Sequence, residues 1–200
     1  MAVLNGLTLG GGLELALCAD LILALPGAKL AFPETGIGIY PGLGGTQRSV
    51  ARVGKGMAKY LIHTGRMLDA TQAEEIGLAD RVIDRDRLAD LMDGREALPQ
   101  RCDPELTTKW SSLAEFFGKH GVDELLAMDH APNGLNLEEI VRIKKILSTK
   151  APIALRLADR LIDEAKGPSS ELAHLQTVFS SKDAMLGLTS IGKKVEFSGV

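Results

Sequence analysis

Three consecutive glycines, Gly10-Gly11-Gly12, run directly into the segment LELALCAD. Glycine loses the most backbone freedom on ordering, so a triplet is poorly suited to the interior of a strand or helix. The triplet reads as a turn. Leu13, Leu15, Ala16 and Leu17 behind it read as a helix over about 12–18, apolar almost all round and therefore buried. A turn that opens a helix presents free N–H groups and the positive end of the helix dipole to whatever stands before it. Glu14 falls in the first turn of that helix. A second carboxylate, Glu34, follows Pro33 in AFPETGIGIYPGLGGTQR, ahead of another glycine cluster at Gly42, Gly44 and Gly45. Taken alone, GGG reads rather as a tight turn beside two surface carboxylates. Taken as a set, the string suits a site that stabilises an oxyanion while two carboxylates handle a proton and a water.

Residues 2–4 read as a short buried strand ended by Asn5-Gly6. DLILAL (20–25) and KLAF (29–32) read as two more, separated by a Pro-Gly turn. Helices are expected over 43–53 and over 55–63, the latter closed by Gly65. Asp69 with Gln72 forms a capping box, and Gly77 sits where a helix C-terminal glycine belongs. RVID (81–84) completes a set of alternating short strands and helices, which implies an α/β core. Beyond residue 85 the pattern becomes helix after helix. Asp103-Pro104 reads as a helix start. Leu106, Trp110, Leu113, Phe116 and Phe117 mark one face over 104–118, as packing or as a ligand stripe. Asn136 with Glu139 opens a helix over 137–149, Pro152 opens another that Gly167-Pro168 ends, and a last helix covers about 170–179. HAPNG (130–134) reads as a mobile loop.

Hydrophobic residues make up 45% and charged residues 24% of the 200-residue chain, a balance that argues against disorder. The net charge of −3 provides no electrostatic footprint for nucleic acid or an anionic membrane. The opening residues show neither signal peptide nor membrane span, so the expected compartment is the cytoplasm. Cys18 and Cys102 make no disulfide framework, and Cys18 reads as a small core residue. The histidines (His63, His120, His130, His174) show no metal-ligand spacing, so no metal is expected.

AVLNGLTLGGGLELAL, CADLILA, AFPETGIGIYPGLGGTQR and LIHTGRMLDATQAEEIGLADRVID, in that order, resemble the second half of an enoyl-CoA hydratase/isomerase (crotonase) core. TKAPIALRLADRLIDEA and ELAHLQTVFSSKDAMLGL resemble that family's C-terminal helices. The resemblance implies a partial crotonase-like (ClpP-like) α/β spiral core over 1–84. Over 85–200 it implies a helical extension with trimerisation and CoA-contacting helices. The segment around 88–148 is longer than in the short hydratases and resembles most the hydratase portion of fused 3-hydroxyacyl-CoA dehydrogenase/hydratase proteins. The family carries a further half-core ahead of AVLNG, with the other oxyanion donor and much of the CoA surface. The chain therefore reads as a C-terminal portion whose exposed strand edges would self-associate.

By the same resemblance, Gly11 supplies an oxyanion N–H, with Gly10 beside it letting the backbone approach the substrate. Losing such a donor typically costs about 3–4 kcal/mol of barrier. Glu14 orients and activates water, Glu34 exchanges the proton at the substrate's α-carbon, and the Gly42 N–H helps hold the water or carboxylate. Two carboxylates in one apolar pocket should push at least one pKa upward. Ile37, Ile39, Tyr40 and Phe179 are expected to line the acyl pocket. Lys193 and Lys194 read either as CoA contacts, often made from a neighbouring subunit, or as a solvated basic tail. Where the family has Glu-Gly before that tail, this chain has Leu186-Gly187. The implied activity is reversible hydration of a trans-2-enoyl-CoA in fatty-acid β-oxidation. It uses no cofactor beyond the CoA of the substrate, in a homo-oligomer (a trimer or a dimer of trimers) with a possible dehydrogenase domain. A 3-hydroxyacyl-CoA thioester hydrolase, a double-bond isomerase and a non-catalytic acyl-CoA-binding module are the other readings.

Overall fold

The computed structural model describes residues 1–101 and 103–200, so the part given to Cys102 above lies outside the described residues. The chain begins with β1 (Ala2–Leu4), β2 (Leu7–Leu9), α1 (Gly11–Ala16), β3 (Ile22–Ala24) and β4 (Lys29–Ala31). A 3-10 turn (Glu34–Ile37), α2 (Gly45–Val53), α3 (Lys55–Thr64), β5 (Leu68–Asp69), α4 (Ala70–Glu75) and β6 (Arg81–Val82) follow. The remainder is helical: α5 (Arg85–Met92), α6 (Thr108–Lys119), α7 (Val122–Ala127), α8 (Leu137–Leu147), α9 (Pro152–Glu164), α10 (Ser169–Leu172), α11 (Leu175–Phe179) and α12 (Lys182–Thr189).

Two small sheets position the glycine turn. In one, β3 lies between β1 and β6 and pairs with both in parallel; in the other, β4 pairs in parallel with β2 and antiparallel with β5. Every residue of β3 is buried, which is why its sequence is a continuous apolar run and not an alternating one. Strand β2 was not anticipated, because LTL is too short to separate from the turn by pattern. Its pairing, Thr8 opposite Leu30, delivers Gly10 to the sheet edge, where its N–H donates to the Ala31 carbonyl at 3.0 Å.

α3 is the central helix. It packs on α6 through Tyr60 and His63 against Phe117, at ring separations of 5.2 and 6.1 Å. One cluster of buried side chains runs from Leu4 through these helices to Val178. Trp110, Leu113, Phe116 and Phe117 all belong to it, so the α6 stripe is packing. Arg52 and Asp80 form a buried ion pair at 2.5 Å, and Asp80 also accepts from the Ile22 N–H, tying α2 to β3.

Both expected capping boxes are present, Asp69 with Gln72 and Asn136 with Glu139. Other local expectations need correction. α6 begins after Thr107 and not at Asp103-Pro104, leaving Leu106 outside the helix. α9 ends at Ala165 in the left-handed conformation, before Gly167-Pro168. The expected helix over 170–179 is two short helices, α10 and α11, and α12 follows them. α1 is not buried all round: Leu15 is 74% exposed and Cys18 is exposed, its thiol donating to the Glu14 carbonyl at 3.6 Å. Met1, Leu7 and Leu15 stand along an open cleft of about 530 Å³ beside the edge strands β1 and β2. Among the described residues no helix is long and apolar enough to cross a membrane.

Candidate active site

The glycine turn brings Glu14 and Glu34 together. Gly10 takes φ +54° as the N-cap of α1, and a Cβ there would fall 2.6 Å from Glu34 Oε1. Only glycine allows both the backbone angle and the approach of that carboxylate. The Gly10 carbonyl accepts the N–H of Leu13 and of Glu14, so the first turn is closed. The Gly11 and Gly12 N–H groups precede it without an intrahelical acceptor and are exposed. Leu43 leans over this point, its Cδ1 3.4 Å from the position a Gly11 Cβ would take.

Glu14 is 2% exposed and its Oε1 accepts two backbone N–H groups, from Leu43 at 2.7 Å and Gly45 at 2.8 Å. Gly42, put forward by resemblance as the donor, stands one residue short of this pair, packed against Leu175 and Tyr40. Burial raises the Glu14 pKa above the ordinary carboxylate range, while the two N–H donors oppose the shift. Glu34 is 5% exposed, and its Oε2 is buried without a hydrogen-bond partner among the described residues. Burial first, and then the neighbouring Glu14 charge, push its pKa up to about 8. Two adjacent carboxylates are thus given different environments: two N–H donors from the 43–45 segment favour the Glu14 anion, while for Glu34 only its own backbone N–H opposes the burial that favours the neutral form.

The helical half clamps the turn that carries Glu34. Thr35 Oγ1 donates to the Ile62 carbonyl at 3.0 Å, and the Thr35 carbonyl accepts the Ala151 N–H at 2.9 Å. Gly187 of α12 lies against Ile37, where a Cβ would meet the carbonyl carbon at 2.3 Å. The glycine of Leu186-Gly187 therefore has a packing role.

Glu171 was not identified from sequence. It is fully buried, and its carboxylate accepts from the Gly44 N–H, the Thr46 N–H at 3.0 Å and the Thr46 hydroxyl. The four N–H groups ahead of and within the first turn of α2 are therefore divided in alternation. Glu14 takes those of residues 43 and 45, and Glu171 takes those of 44 and 46. A helix N-terminus favours negative charge, which explains how two carboxylates share one such end. A glutamate in a polar helical stretch, far along the chain from α2, gives no local signal of this role.

Tyr40 is buried, its hydroxyl donating to the Glu171 carbonyl at 2.5 Å, and burial raises its pKa to about 12. Ile37 and Ile39 are partly buried beside it, Phe179 on α11 is 49% exposed, and Lys193 and Lys194 are exposed beyond α12. Among the described residues no group of three or more His, Cys, Asp or Glu side chains is placed to hold a metal ion.

The family model described as "Enoyl-CoA hydratase/isomerase" matches residues 1–97. A "crotonyl-CoA hydratase" of Syntrophomonas wolfei is 48% identical over 88 residues, 44% of this chain and 34% of that protein. A Rhizobium meliloti protein named "probable enoyl-CoA hydratase" is 49% identical over 138 residues, 69% of this chain and 50% of that protein. The solved structure of an enoyl-CoA hydratase from Rhodobacter sphaeroides superposes with a TM-score of 0.72 at 25% identity, covering 98% of this chain and 63% of that one. The chain thus has the crotonase-type fold expected from its sequence, and it spans about a third to a half of the length of these curated relatives.

Proposed function

This chain belongs to the enoyl-CoA hydratase/isomerase (crotonase) family through residues 1–97, and from that premise we propose that Glu14 and Glu34 carry the acid–base chemistry of an enoyl-CoA hydratase. The observation that carries this reading is the division of environments between the two carboxylates. Glu14 has donors for its anion; Glu34, with a pKa of about 8, holds a proton at neutral pH. In hydration, Glu14 orients a water and takes its proton as the oxygen attacks the β-carbon of a trans-2-enoyl thioester. Glu34 delivers a proton to the α-carbon. The Gly11 N–H receives the charge that gathers on the thioester oxygen, where one donor contributes about 3–4 kcal/mol. In this reading the step uses no metal or redox cofactor, and CoA enters as part of the substrate.

The presence of both carboxylates favours hydration over isomerisation, which commonly keeps one. It also favours hydration over thioester hydrolysis, in which the glutamate after the glycine turn is absent. We place the reaction in fatty-acid β-oxidation, in a trimer or dimer of trimers, with a dehydrogenase domain as its partner activity in a longer chain. Ile37 and Ile39 are assigned to the acyl wall, and Phe179, Lys193 and Lys194 to substrate contacts.

The test is hydration of crotonyl-CoA, followed by loss of its conjugated-enoyl absorbance, with Glu34→Gln as control. Turnover that vanishes in the variant supports the assignment. If this chain is silent, the assay is repeated on a chain extended to the length of its relatives. Silence there as well removes the hydratase reading.

A further inference from the structure

A second cavity, of about 130 Å³, lies where the C-terminal end of α3 meets α6 and α8. It is half-enclosed and shares no lining residue with the carboxylate site. Three cations line it: Arg66 just beyond α3, Lys109 on α6 and Arg142 on α8. Among the described residues, none of the three has a carboxylate within ion-pair distance, although fifteen such pairs form elsewhere. The carboxylate that lines the cavity, Glu139, is engaged by the Asn136 N–H at 2.9 Å in the α8 capping box.

Local structure accounts for one of these cations. Arg66 follows the C-terminus of α3, where a helix dipole favours positive charge. Lys109 stands in the first turn of α6, where the dipole disfavours it, and Arg142 sits in the body of α8. Arg66 is also held in place, its guanidinium carbon 6.0 Å from the Trp110 ring centroid, yet its buried Nε has no hydrogen-bond partner. The Tyr60 hydroxyl is hydrogen-bonded to the Arg66 side chain and lies within the influence of the Arg66, Arg142 and Glu139 charges. Leu113, Ile143 and Ile146 form the apolar side of the cavity.

We propose that this cavity is a binding site for a small phosphomonoester. Its phosphate is held by Arg66, Arg142 and Lys109, and its apolar portion rests on Leu113, Ile143 and Ile146. Guanidinium groups match the geometry of phosphate oxygens, and three cations against one capped carboxylate suit a ligand carrying nearly two negative charges. The cavity is of a size to hold a phosphate with a compact substituent.

Calorimetric titration of the full chain with phenyl phosphate, inorganic phosphate and benzoate tests this. Phenyl phosphate is expected to bind one per chain and more tightly than either other probe. Its affinity should fall as pH drops through about 6, where the phosphate becomes a monoanion. Lys109→Gln and Arg142→Gln change exposed side chains and leave the packing of α6 and α8 intact. Each should weaken binding by about tenfold or more. Arg160→Gln, whose parent side chain pairs with Glu164 on α9, should not. No binding at millimolar phenyl phosphate overturns the site. So does equal affinity in the Lys109 and Arg142 variants. Benzoate binding as tight as that of phenyl phosphate overturns the ligand class.

Discussion

Around the N-terminus of α2, Glu14, Glu34 and Glu171 are buried with no ion pair among the described residues, whereas between α3 and α9 the buried Lys59 is bracketed by Asp159 and Asp163, each at 2.8 Å. With Lys55 pairing Asp163 at 2.5 Å, the second cluster cancels its own charge. His63 beside it is held neutral, its pKa lowered to about 3 by burial and by the Lys59 charge. The first cluster keeps its desolvation cost, softened by backbone N–H groups, and its pKa values rise as a result. Paired burial fixes helices to one another. Unpaired burial holds a carboxylate near the proton affinity that acid–base chemistry at neutral pH requires.

The sharpest way to break this contrast is Glu34→Gln. Removing a general acid of this kind is expected to lower crotonyl-CoA turnover by about 10³-fold or more while the fold persists, as read by initial rates and circular dichroism. Undiminished turnover would remove Glu34 from the reaction.

Lys59→Met attacks the other cluster. Left without its buried cation, Asp159 is expected to destabilise the fold by about 3–5 kcal/mol in urea denaturation. Glu14→Gln should cost far less, because no buried countercharge is stranded. Equal losses would erase the distinction between the clusters.

A smaller effect separates the two by pH. The folded pKa of Glu34, about 8, lies above its ordinary value of 4.5. Its burial is therefore without ionic cost below about pH 4.5, and stability is lost as pH rises through that interval toward 8. Relative to wild type, Glu34→Gln should gain at most about 3 kcal/mol between about pH 5 and pH 7.5. Parallel stability profiles would contradict the raised pKa.

The subtlest test is Glu171→Gln. The Glu171 charge raises the Glu14 pKa. Its removal should move the acidic limb of the turnover profile to lower pH by less than about one unit, provided turnover is detectable. An unmoved limb would reduce Glu171 to a helix cap.

The strands β1, β3, β4 and β6, the capping boxes at Asp69 and Asn136, and the glycine turn ahead of Glu14 were legible because each depends on neighbours a few residues away; Glu34, twenty residues on, was joined to that turn by the family resemblance. Three other features were not. Leu15 and Cys18 look like core residues by composition, but their exposure depends on what packs on that face of α1. The break between α10 and α11 falls directly after the residues that dock Glu171 onto α2, a contact local helix propensity does not register. The donors to Glu14 depend on how loop 41–44 folds beside it, which turns the Leu43 and Gly45 N–H groups onto its carboxylate.

The sequence by itself determined where the backbone must turn, where most helices start and that Glu14 stands at a free helix end, since steric limits and capping act within a turn of chain. Tertiary structure alone decided that a third carboxylate, Glu171, would share the same four N–H groups. It also decided that Arg66, Lys109 and Arg142 would meet around one cavity. Burial and electrostatic pairing are properties of distance in space, and residues far apart in the chain carry no local mark of how close the fold will bring them.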